Sequence, residues 1–308
     1  ADVNASDWDC TLEPLPSRGP ALRLGLRSVK GFGAEDAKAL MENRGAGYRT
    51  VRELWRRSGL KRRALQALAA ADAFASLGLD RRAAQWQVRG LHDVVLPLFL
   101  HAEAALPRGG NAPPPDIANE PAVRLPAMPL GEQVVEDYAT LGLSLKSHPA
   151  KLLRPHLVAR GVMANVRLGQ LKDGERVTVA GLVLVRQRPG TASGVIFLTL
   201  EDETGIANVV VWNHVYKSFR RVLLGSRLLA VQGKLQKVGK DEHVVVHVVA
   251  ERLIGLNDEL QRLGGIESDF DGALAPADQV RKPGQDARDA IAAGRDPRSV
   301  MPEGRNFR

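Results

Sequence analysis

The chain has one cysteine, Cys10, among its 308 residues. An internal disulfide is excluded, and so is a zinc site built on cysteine. A reducing, cytoplasmic setting is expected. No apolar run approaches the length needed to cross a bilayer, and no secretory leader is visible, so no membrane partner is expected. The chain starts at Ala1 rather than Met and is expected to be a piece of a longer protein. Catalytic signatures are missing too. There is no Gly-x-x-x-x-Gly-Lys-Ser/Thr loop and no Gly-x-Ser-x-Gly elbow. The one tight acidic cluster is Glu201-Asp202-Glu203. It runs into Thr204-Gly205, which reads as a turn capped by its own carboxylates. No aspartate pair on a neighbouring strand completes a two-metal site. The chain itself reads as a binding module with no catalytic residue, metal or cofactor of its own.

The length suggests about two domains. The formal net charge is +8, with pI ≈ 9.9. The stretch after Leu256 holds ten acids against eight bases, so the rest of the chain carries about +10. That excess points weakly to a polyanionic partner.

Residues 173–256 carry the clearest pattern. Five Val-, Ile- and Leu-rich runs follow one another: Arg176–Val185, Val195–Leu200, Ala207–Trp212, Arg227–Lys237 and His243–Ala250. Turn residues separate them. Between the third and fourth runs, Val215, Phe219, Val222 and Leu223 take helical spacing. Three strands, a helix and two more strands is the order of the OB-fold, a small barrel that often holds single-stranded nucleic acid. Gly181 and Gly233 lie inside strand runs, where glycine marks a bulge or bend. Ile196, Leu198 and Leu200 suit the barrel interior, which places Phe197 on the outer face. Phe197 is the candidate stacking residue. Arg186 and Arg188 close the first strand and are candidates for phosphates, with Trp212 and Lys234 as further single-strand contacts. The alternative for Phe197 is a packing role under the helical segment that precedes the barrel.

Residues 22–100 read as helical. Val29-Lys30-Gly31-Phe32-Gly33 runs into an amphipathic helix, which is the pattern of a helix-hairpin-helix. Its glycines allow close approach, and the next helix's first amides can meet a phosphate. Lys30, Gly31, Phe32 and Gly33 are therefore candidate duplex contacts. The basic run Arg49–Arg63 adds Arg56, Arg57, Arg62 and Arg63, although such a run can equally be a solvated face. A second helix–turn–helix follows through Ala71–Gly78. Residues 1–21 look like the end of an upstream domain. Residues 101–129 form a Pro/Gly-rich linker, 130–172 a helical connector, and 257–308 a disordered tail. In the connector, His148 is expected to make a local hydrogen bond rather than bind metal. The expected fold is thus α+β and multidomain, a helical helix-hairpin-helix domain followed by a five-stranded OB-fold barrel.

These stretches together carry a resemblance. Ala1–Glu13 resembles the end of the polymerase core in bacterial C-family DNA polymerases, closest to the error-prone, damage-inducible paralogue of the alpha subunit. Leu24–Gly33 is similar to that family's entry into its helix-hairpin-helix domain, and Ala71–Gly78 to its second hairpin. Gln187–Gly194 with Phe197–Gly205 resembles its OB domain, and Met301–Phe307 its C-terminal ending. The resemblance implies a DNA polymerase of damage-induced mutagenesis and translesion synthesis. Its implied partners are primer–template DNA, an inactive Y-family-like protein and a RecA-like accessory protein. Its catalytic aspartates and magnesium belong to a palm upstream of Ala1 and map to no residue here. In the synthetase barrels that Phe197–Asp202 also resembles, the matching phenylalanine stacks on a base. Two other readings stay open: a free-standing single-strand or tRNA-anticodon-binding module, and an interaction protein that works through its linker and tail.

Overall fold

The computed structural model describes residues 1–15, 18–91, 125–189, 194–239, 244–265, 300–301 and 305–306. The chain divides into two compact units, Ala1–Met128 and Pro129–Arg308.

The first unit opens with a hairpin of β1 (Thr11–Leu15) and β2 (Arg18–Arg23). Helices α1 (Ala34–Glu42), α2 (Val51–Ser58), α3 (Arg62–Ala70) and α4 (Arg81–Arg89) follow. Local chemistry sets their ends. The Thr50 hydroxyl caps α2 by accepting from the Glu53 amide, while the Glu53 carboxylate accepts from the Arg49 amide. Asp80 caps α4 by accepting from the Ala83 amide. Gly59 ends α2 at φ +66°, where a side chain would be strained. The residues before β1 are stitched into this unit. The Val3 amide donates to the Ala73 carbonyl, the Asn4 carboxamide bridges Tyr48, and the Ser76 amide donates to Asp2. Leu22 and Arg23, expected in the helical region, lie in β2. Most of the expected linker lies outside the described residues, as does 92–100.

In the second unit, helices α5 (Leu130–Thr140) and α6 (Pro149–Ala159) precede the barrel. Its strands are β3 (Arg176–Gln187), β4 (Ile196–Asp202), β5 (Gly205–Val211), β6 (Leu228–Val238) and β7 (Val245–Gly255). Helix α7 (Asn213–Gly225) stands between β5 and β6. The strands pair in the order β4-β5-β7-β6-β3, and β3 returns to β4, which closes the barrel. Every pairing around it is antiparallel except β5 with β7. The expected OB-fold order is borne out. Ile196, Leu198 and Leu200 lie in the interior core with Val179, Val209 and Val231.

Closure depends on both strand glycines. A Cβ on Gly181 would lie 2.5 Å from the Glu201 carbonyl oxygen, and one on Gly233 would lie 2.1 Å from that of Val249. β6 is bulged at Gln232/Gly233 and β3 between Val183 and Val185. A second core lies outside the barrel wall, where α5, α6 and β3/β6 residues Ala180, Leu182, Leu228 and Ala230 meet.

The tail differs from expectation. Asn257–Gly265 is a helix, α8, whose Leu260 and Leu263 are buried in that second core with Leu256 and Met301. Arg305–Asn306 forms β8, parallel to β3 at Val185 and Arg186. The charged, Gly-rich composition hid an i, i+4, i+7 apolar set at Leu256, Leu260 and Leu263. Residues 266–299 lie outside the described residues.

Candidate nucleic-acid interface

In the first unit, Gly31 adopts φ +82°, so the turn at 29–33 requires glycine there. Gly33 is the N-cap of α1 at φ −92°, a conformation open to any residue. Because Gly33 has no side chain, it caps nothing. No hydrogen bond from the amides of Gly31, Gly33, Ala34 or Glu35 occurs among the described residues. These donors are available to an anion, although Glu35 and Asp36 put two negative charges in the same turn. Phe32 is 5% exposed and its amide donates to the Val29 carbonyl. Its side chain is core, which removes it from the expected duplex contacts. The second hairpin is arranged differently. Its Ser76 amide is taken by the Asp2 carboxylate, an internal anion.

The arginine run separates into two kinds. Arg57 donates to the carbonyls of Asn43, Arg44 and Gly47 and pairs with Glu53, and its guanidinium lies 4.8 Å from the Tyr48 ring centre. It ties the end of α1 to α2 and is not free for phosphate. Arg62 donates to the Leu91 carbonyl. Arg56 and Arg63 are exposed, with no ion pair or hydrogen bond from their side chains among the described residues.

In the barrel, strand register assembles an outer face. Phe197 of β4 stands opposite Val210 of β5, Val210 beside Val249 of β7, Val249 opposite Lys234 of β6, and Lys234 opposite Arg176 of β3. Directly paired residues point to the same side of a sheet. The row therefore runs from an aromatic at one end to two cations at the other. Thr199, Asn208, His247 and Gln236 form the next row. Phe197 is 38% exposed, so its ring is partly open to solvent rather than packed away as a core residue. Lys234 and Arg176 share only long contacts with Glu251, at 4.0 and 3.8 Å; such exposed pairs hold weakly. Sequence reasoning missed Arg176, Asn208 and His247. Only pairing register, which a single sequence does not print, brings them beside Phe197.

Arg186 departs from expectation. It is 1% exposed. Its Nε donates to the Leu223 carbonyl at 2.8 Å, and an Nη donates to the Ser226 carbonyl, both at the end of α7. Arg188 is exposed, and its guanidinium lies 5.3 Å from the Tyr216 ring centre, leaving its edge open to solvent. Trp212, 49% exposed, is the N-cap residue of α7.

The acidic cluster is a structural corner. Asp202 accepts from the Thr204 amide and hydroxyl, the Gly205 amide and the Asn165 amide, and Arg154 bridges Asp202 and Glu203. Burial pushes the Asp202 carboxyl upward, but the hydrogen bonds from Thr204 and Asn165 and the charge of Arg154 outweigh it and hold it below the usual value. Among the described residues, no group of three or more His, Cys, Asp or Glu is placed to hold a metal ion. His148 makes the expected local bond, accepting from the Ala150 amide at the start of α6.

Residues 1–84 match the family described as "Helix-hairpin-helix motif". Residues 177–254 match the one described as "OB-fold nucleic acid binding domain". The chain is 44% identical to error-prone DNA polymerase 1 of Rhizobium meliloti (strain 1021), over 99% of this chain and 30% of that protein. It is 48% identical to the error-prone DNA polymerase of Ruegeria pomeroyi, over 85% of this chain and 22% of that protein. The chain spans less than a third of the length of these relatives, and the resemblance to error-prone DNA polymerases extends over nearly all of it. Among solved structures, asparaginyl-tRNA synthetase from Pyrococcus horikoshii aligns at 31% identity over 27% of this chain and 20% of that one, with a TM-score of 0.22.

Proposed function

We propose that this chain is a DNA-holding portion of an error-prone DNA polymerase, its C-terminal part, with the helical unit on duplex and the barrel on single-stranded template. Polymerisation is then carried out by residues outside this chain, with magnesium held there. The parent would act in damage-induced mutagenesis and translesion synthesis in the cytoplasm, beside an inactive Y-family-like protein and a RecA-like accessory protein. One observation carries the reading. The barrel's outer face presents a part-exposed phenylalanine at one end of a cross-strand row that passes through Val210 and Val249 to Lys234 and Arg176, and an aromatic sharing a face with cations is the basis of sequence-tolerant single-strand binding.

The test is equilibrium binding of the whole chain to three DNAs at one salt concentration: single strand, blunt duplex, and a primer–template junction. The junction should bind at least tenfold tighter than either simple form, because two sites engage one ligand. Equal affinity for all three would refute the division of labour. A clear preference for RNA over DNA of the same sequence would favour the anticodon-binding alternative.

A further inference from the structure

The stretch from Thr204 to Gly239 contains no Asp or Glu, yet it holds Lys217, Arg220, Arg221, Arg227, Lys234 and Lys237. Three of these cations lie on one helix. In α7, Lys217, Arg220 and Arg221 are exposed, and their side chains make no hydrogen bond or ion pair among the described residues. The helix breaks at Phe219, whose φ of −117° and ψ of 22° are not helical. Around the break, Lys217, Phe219, Arg220, Arg221 and Leu224 line a shallow, open groove. A solvated helix face of alternating sign neutralises itself through ion pairs; α7 has no acid to do so.

The groove also continues the barrel's outer face. Gln187, the last residue of β3, stands opposite Phe197, and Arg188 follows it. The Arg188 guanidinium reaches over Tyr216 in the first turns of α7. Arg220 and Arg221 follow directly after the break at Phe219, and Tyr216 and Lys217 lie before it. Trp212, at the start of the same helix, adds a second exposed aromatic face. The succession is Phe197, Arg188 over Tyr216 with Trp212 near by, and then three unpaired cations. Aromatic faces that can stack bases, continued by positive charge that can hold phosphates, are the two components of a single-strand site.

We infer that single-stranded DNA leaving the barrel's outer face runs on along α7, with its phosphates held by Lys217, Arg220 and Arg221. This rests on the single-strand reading of the barrel and lengthens that site. Positions on α7 supply charge without reading sequence, so the track adds affinity and salt dependence but no base preference.

The experiment compares the whole chain, Lys217→Ala/Arg220→Ala/Arg221→Ala and Phe197→Ala on oligo(dT) of about 6 and about 20 nucleotides, lengths chosen from the usual span of one OB-fold. A blunt duplex serves as control. The triple variant changes only exposed side chains to a strong helix former, so its melting temperature should hold. It should bind the short strand normally and the long strand about tenfold more weakly. Its slope of log affinity against log salt on the long strand should fall by about 2, at roughly 0.7 per phosphate. Phe197→Ala should weaken both lengths. An unchanged long-strand affinity and slope in the triple variant would overturn the α7 track while leaving the barrel reading in place. An equal loss on the duplex would show a general polyanion surface and overturn it as well. If the unsubstituted chain binds neither length, both readings fall.

Discussion

Arg186 separates two accounts of the barrel, because its position in the sequence suggests phosphate and its position in the structure does not. Its guanidinium is buried and donates to two carbonyls at the C-terminal end of α7. That end of a helix carries a partial negative charge and unpaired carbonyls. Arg186→Ala removes both donors, strips the helix end of its cation and leaves a void. Hydrogen bonds from a charged donor contribute about 1.5–3 kcal/mol each. With at least these two bonds lost and water entering part of the void, the expected destabilisation is about 3–5 kcal/mol, the range found when one partner of a buried charged contact is removed. For a unit of this size that corresponds to a fall in melting temperature of roughly 6–20 °C. Arg186→Lys keeps the charge but not the fork, so it should fall between wild type and alanine. Calorimetry reads the transition of the second unit, and single-strand titration well below the variant's melting temperature reads binding. If Arg186→Ala melts within about 2 °C of wild type yet binds single strand tenfold more weakly, the capping role is wrong and the phosphate role stands.

Phe197→Ala should do the reverse, weakening single-strand binding about tenfold, since stacking contributes roughly 1–3 kcal/mol per base; because the ring is partly in solvent, a loss near the 3–5 kcal/mol of a core phenylalanine would contradict its placement. Gly31→Val forces a β-branched residue to φ +82° and should lower duplex affinity, whereas Gly33→Val, at φ −92°, should be tolerated by the backbone. Equal duplex binding by wild type and Gly31→Val, both folded, would remove the first hairpin from the interface. Burial holds the His148 pKa below its ordinary value against the opposing pull of Glu201, Glu203 and Asp202, with Arg154 also lowering it. The unfolded chain therefore takes up the proton first, and the second unit should lose stability as pH falls below about 6.5 toward the folded value. His148→Asn keeps a cap acceptor but cannot titrate, so its melting temperature should vary less over that window; parallel pH profiles for the two proteins would rule out His148 as the cause.

The barrel was largely legible because its interior is written in alternation. Ile196, Leu198 and Leu200 fix which way β4 faces, and that alone places Phe197 outside. Gly233 was legible as a bulge, and β6 is bulged there; Gly181 marks instead a close approach, with backbone where its Cβ would stand, and the β3 bulge lies further on, between Val183 and Val185. The turn at Asp202 was legible from local chemistry, but its clasp by Arg154, far away in sequence, was not. Register is the general gap. The row from Phe197 to Arg176 crosses five strands, and nothing in any one strand's sequence specifies its partner's offset.

The misplaced arginines share one physical cause. In β3, Val177, Val179 and Val183 face the barrel interior, so counting by twos turns Arg186 outward. The bulge between Val183 and Val185 inserts one residue and reverses that parity, so Arg186 pairs with the inward Leu198 and Gln187 with the outward Phe197. Arg57 looks like one more cation in a basic run, yet it donates to the carbonyls of Asn43 and Arg44 at the end of α1. Helices α1 and α7 have no basic residue in their last turns. Their terminal carbonyls therefore draw a cation from another element, and in each case the arginine drawn in was one that sequence reasoning had assigned to DNA. Among the described residues, cations that no helix end claims include Arg56 and Arg63 in the first unit, and Arg176, Arg188, Lys217, Arg220, Arg221 and Lys234 in the second. An arginine in a nucleic-acid-binding chain is thus best weighed against the helix C-termini that lack a basic residue before it is counted as a phosphate contact.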